Sequence, residues 1–66
     1  MYYDKNGYLI KNGDLLDFDD LGMFRVVCIN GHLALKKCND NKYPTIYLYK
    51  IFLNSHVQAA IIADFC

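Results

Sequence analysis

The chain predicts an all-β fold, a single small domain over residues 1–66. Three observations predict it. Asn-Gly dipeptides stand at Asn6-Gly7, Asn12-Gly13 and Asn30-Gly31; both residues tolerate positive φ, which a two-residue type I′ hairpin turn needs at both central positions. The third pair lies between two apolar runs, Met23–Ile29 and His32–Cys38, the strongest short-range hairpin signal in the chain. All seven acidic residues are Asp and none is Glu, which suits turns better than long helices.

The elements follow in order. Tyr8-Leu9-Ile10 is a short extended stretch between two Asn-Gly turns, and Gly13-Asp14 leads into a first proper strand at Leu15-Leu16-Asp17-Phe18. Asp19-Asp20-Leu21-Gly22 is an acidic loop ended by Gly. The hairpin at 23–38 comes next, and then a polar connector, Asn39 to Pro44, whose proline stays out of any central ladder. Thr45 to Leu53 is the longest strand candidate, dense in β-branched and aromatic residues. The tail from Asn54 to Cys66 reads two ways. Ser55-His56-Val57-Gln58 has the form of a capping box, which favours a short helical turn near 53–58; Ala60 to Phe65 reads equally well as a closing strand.

With Asn30-Gly31 as the loop, Ile29 faces His32 and the numbers of paired residues sum to 61. Phe24, Val26, Cys28, Leu33 and Leu35 then share a core face, with Lys37 at its far end. Met23, Arg25, Val27, Ile29, His32, Ala34, Lys36 and Cys38 share the other. Arg25 stands opposite Lys36 there, a like-charge pair that solvent must spread, so this face is expected outward. A slip of one residue would reverse the assignment.

Size and charge bound the function. A chain of about 60 residues buries only about 60% of its unfolded surface, yet 55% of these residues are hydrophobic and 15% aromatic. That is more apolar material than one small core readily hides, and it points to a partner-binding or self-associating surface. Seven basic residues balance seven acidic ones, which argues against electrostatic capture of nucleic acid or an anionic membrane. No apolar stretch approaches the ~20 residues of a membrane span, and the N-terminus lacks the apolar block of a signal peptide. A cytoplasmic protein is expected, with its three cysteines as reduced thiols.

No catalytic, cofactor or metal site is expected. Cys28, His32 and Cys38 do not have zinc-ligand spacing, and the hairpin register puts the two cysteines on opposite faces. His56 and Cys66 could meet only if the tail folds back. Asp17, Asp19 and Asp20 read as a solvated acidic turn. The residues expected to carry function are Tyr47 and Tyr49, on the more aromatic side of the 45–53 strand, with Arg25 and Lys36 from the hairpin and with Tyr2 or Tyr3 as further candidates. Tyrosine is apolar in body and polar at its tip, which suits a contact patch.

The segment Asp4-Lys5-Asn6-Gly7, followed by Ile10 and then Gly13-Asp14-Leu15-Leu16, resembles the opening of YopX-type phage and prophage proteins. The ending Ala59-Ala60-Ile61-Ile62-Ala63-Asp64-Phe65 is similar to the Val-Ile-Gly-Asn-Ile stretch that closes that family, with Ala63-Asp64 where it has Gly-Asn. The resemblance implies a phage or prophage origin and an SH3-like, partly open barrel of about five strands. It also tips the tail toward a strand, after a tight turn at 53–56. The function expected is that of a non-enzymatic accessory protein in the host cytoplasm, binding a host or phage protein and inhibiting a defence or regulatory complex. Two alternatives stand beside it: a small barrel that binds single-stranded nucleic acid, and a homo-oligomer that sequesters a small ligand or nucleotide.

Overall fold

The computed structural model describes residues 1–52 and 54–62. Five strands form one antiparallel sheet: β1 (Leu15–Phe18), β2 (Gly22–Ile29), β3 (His32–Lys37), β4 (Ile46–Tyr47) and β5 (Ala60–Ile62). Their order across the sheet is β4-β3-β2-β1-β5. A single helical turn, α1 (Leu48–Ile51), follows β4 directly. The sheet does not close on itself, so the molecule is a small all-β, partly open barrel.

The hairpin adopts the expected register, from Phe24↔Lys37 at its base to Ile29↔His32 beside the loop. Asn30 and Gly31 both have positive φ, 52° and 80°, as a type I′ turn requires. The other two Asn-Gly pairs do different work, because only their glycines have positive φ. At the first, Gly7 N–H donates to Asp4 O and Asp4 N–H to Tyr8 O, a three-residue loop with a bulged glycine. At the second, Asp14 N–H donates to Lys11 O around Asn12-Gly13, and positive φ falls on the third residue of the turn.

Cross-strand pairing gathers the core on one face. Leu16 stands opposite Phe24 and Ile61, and Val26 opposite Leu35. Ile10, Phe18, Leu48, Val57 and Ala59 complete the buried cluster. Each large aliphatic side chain fully buried here is worth about 1.5–3 kcal/mol. Two expectations for the faces need correction. Cys28, at the open tip of the hairpin, is exposed rather than buried, because no element reaches that end of the core face. Ala34, on the second face, is buried: it pairs with Tyr47 of β4, whose larger side chain stands beside it on that face. Leu15 is also buried on this second face.

The 45–53 segment is not one long strand. It pairs for two residues and then turns, with Phe52 N–H donating to Leu48 O at 3.0 Å. In a helix and in a strand alike, residues four apart share a face, so Leu48 and Phe52 point inward under either reading. The inward positions thus leave the choice open, and the turn that forms runs against the β propensity of the segment. The expected helical turn near 53–58 is absent among the described residues. Asn54 there accepts the His56 N–H at 2.9 Å through its side chain, an Asx turn in place of a helix cap. The tail does become a strand over Ala60–Ile62, paired with β1; residues 63–66 lie outside the described residues.

The first residues are woven between β1 and the tail. Tyr3 bridges Leu9 antiparallel and His56 parallel, and Lys5 N–H donates to Ala59 O at 2.9 Å. Asp4 sits at the centre of this seam, 1% exposed.

Candidate binding surfaces

The second face of the sheet carries the residues singled out by the sequence. Strand pairing arranges it in rows: Arg25 beside Lys36, then Val27–Ala34–Tyr47, then Ile29 beside His32. Alternate residues along a strand lie roughly 7 Å apart, so the cation pair and the aromatic residues occupy neighbouring rows. Arg25 Nη1 donates to Gly13 O at 2.7 Å, which steers its guanidinium toward the second Asn-Gly turn. Lys36 is exposed.

Tyr47 and Tyr49 come together by a route other than strand alternation. Tyr47 ends β4 and precedes the helical turn, which swings Tyr49 back onto it; the rings stack 5.1 Å apart at 21°. His32 meets both edge-on, at 6.0 Å from Tyr47 and 5.2 Å from Tyr49. Tyr49 remains half exposed, and the neighbouring Ile29 is exposed too. His32 was not a candidate, although the hairpin register already placed it on this face. Tyr2 and Tyr3 do not join the cluster. Tyr2 packs against the core, and the Tyr3 ring lies 6.1 Å from that of His56.

A second concave site lies at the open end of the core face. It is an apolar cleft of about 340 Å³ walled by Phe18, Phe24, Leu35, Tyr43, Ile46 and Phe52. Phe18 and Phe24 pack edge to face at 5.3 Å, Phe24 and Tyr43 at 5.4 Å. Phe18 and Phe52 stack at 6.3 Å. Lys37 Nζ lies 4.8 Å above the Phe24 ring and donates to Leu21 O. Phe18, Leu21 and Gln58 also border a polar cleft that contains Lys5, Asp19 and Asp20, so the two spaces are adjacent. No local signal marks this cleft, because Phe18, Phe24, Tyr43 and Phe52 come from separate segments.

Among the described residues, no three His, Cys, Asp or Glu side chains come close enough to hold a metal ion. Asp19 pairs with Lys5 at 3.9 Å, both largely in solvent. Cys66, the suggested companion of His56, lies outside the described residues. The Asp4 carboxyl is displaced from its ordinary value. Burial pushes it up, but the backbone N–H groups of Ile61, Tyr8, Asn6 and Gly7 outweigh burial and hold it below 3.8.

Fold and surfaces together define a class: a small, open, antiparallel β protein that carries, among the described residues, an exposed aromatic cluster and an apolar cleft. Comparison with protein families, curated proteins and solved structures finds no match for this chain. No helix among the described residues is long and apolar enough to cross a membrane.

Proposed function

We propose that this chain is a non-enzymatic binding module whose partner is another protein, engaged through Tyr47, Tyr49 and His32 with Arg25 and Lys36 beside them. The observation that carries the reading is the half-exposed, stacked Tyr47–Tyr49 pair. Stacked rings spend little side-chain entropy on binding and offer both apolar area and hydrogen-bonding tips, the properties of interface anchors. The phage setting, with inhibition of a host defence or regulatory complex, comes from the resemblance of the opening and ending segments alone. Single-stranded nucleic acid is the second reading, favoured by the same rings lying next to a basic row.

The test is affinity capture from infected bacterial cells with the wild-type chain and with the Tyr47→Ala/Tyr49→Ala variant. A stoichiometric protein retained by the first and lost by the second, with the circular dichroism spectrum unchanged, is the expected result. Equal retention by both removes these residues from the interface. Binding to an oligonucleotide that weakens steeply between 50 and 200 mM salt, at about the salt range where counterion release dominates, transfers the surface to nucleic acid.

A further inference from the structure

We infer that the cleft walled by Phe18, Phe24, Tyr43 and Phe52 is a binding site for a small amphiphilic cation, one with an aromatic body and a protonated amine. Ligand pockets are concave, mostly apolar and fitted with a few polar groups that fix orientation. At about 340 Å³ the cleft lies at the lower end of the usual range and holds a body of roughly a dozen non-hydrogen atoms. Its four aromatic rings present both faces and edges to a planar guest.

The sign of the head group follows from what surrounds the mouth. Phe18 borders both the apolar cleft and the polar one beyond it, so a head group leaving the cavity passes this ring on its way to Asp19 and Asp20. The two lysines nearby are both engaged. Lys5 pairs with Asp19, and Lys37 is held by the Leu21 carbonyl and the Phe24 ring. Asp20 makes no ion pair among the described residues. An ammonium at the mouth gains the Asp20 carboxylate and the negative face of Phe18, whereas a carboxylate there meets both unfavourably and finds Lys37 Nζ already turned to the Leu21 carbonyl. The site is on the core side of the sheet, away from Tyr47 and Tyr49, and so stands independently of the protein-binding surface.

The experiment is a nitrogen-15 chemical-shift titration of the full chain with tryptamine, 3-ethylindole and indole-3-propionate, which share a ring system and differ in head-group charge. The expected result is saturable shifts at Phe18, Phe24, Tyr43, Phe52 and Gln58, with tryptamine at least fivefold tighter than indole-3-propionate. Asp20→Asn should shrink that ratio toward one. Leu21→Trp, at an exposed rim position, should block the cavity and cut tryptamine affinity at least tenfold without unfolding the chain. Non-saturable shifts, shifts centred on Tyr47 and Tyr49, or equal affinity for the acid and the amine would each overturn the assignment.

Discussion

The Asp4 carboxylate accepts the backbone N–H of Ile61 at 3.0 Å, joining residues 57 positions apart. Its other oxygen accepts Asn6 N–H at 2.9 Å and Tyr8 N–H at 2.8 Å. One side chain thus shapes the first turn and anchors the last described strand. An ionised carboxylate survives at a 1% exposed position because these donors replace the water it loses. No buried side-chain nitrogen or oxygen among the described residues lacks a partner.

Asp4→Ala should therefore cost about 3 kcal/mol, since it leaves several buried backbone donors without an acceptor. Urea unfolding of the variant is the measurement, and a loss under about 1 kcal/mol would contradict the anchoring role. Retained structure can be checked by the hairpin's own cross-strand contacts.

The same carboxylate predicts a pH dependence of known sign. Its folded-state pKa lies below the ordinary 3.8, so its stabilisation is fully present above that value and is lost as pH falls through the folded pKa. The urea midpoint should fall on acidification below about pH 4, more steeply in the wild type than in Asp4→Asn. Identical acid limbs in the two proteins would assign the loss to other carboxylates.

Gly22 and Lys37 offer a separate test. Gly22 has φ +87°, and a Cβ built there would stand 2.8 Å from Lys37 Nζ. The lysine tip can move aside, but the backbone strain cannot be relieved that way. Gly22→Ala should lose about 1–2 kcal/mol, and adding Lys37→Ala should recover only a small part of it. Full recovery in the double variant would show the contact, not φ, to be the cause.

The helical turn predicts an asymmetry between neighbours. Leu48 is fully buried and Ile51 is exposed, so Leu48→Ala should cost about 2–5 kcal/mol and Ile51→Ala well under 1. Thermal unfolding followed by circular dichroism distinguishes them. Comparable losses would fit a continuous strand packed on both faces instead.

These elements also show what was legible in the sequence. The hairpin could be read to the residue because Asn30-Gly31 sets both turn type and register, and a period of two then assigns every side chain. The β1 strand was legible for a related reason, whereas the tail read equally well as helix or strand because so short an apolar run has no decisive period. The 45–53 segment was not, because inward positions four apart satisfy strand and helix alike, and local propensity favours the wrong one. The aromatic cluster was half legible: Tyr47 and Tyr49 stood out by composition, while His32 required the register and the turn together. Asp4 escaped notice because nothing local reveals that its second oxygen serves a strand from the far end of the chain. The cleft escaped for the same reason, as its walls come from segments scattered along the chain.

The brevity of β4 has its own consequence. A sheet border with only two paired residues, preceded by Pro44 and cut short by a helical turn, offers no ladder long enough for another chain to continue. Lengthening of the sheet by strand addition is therefore disfavoured at that border.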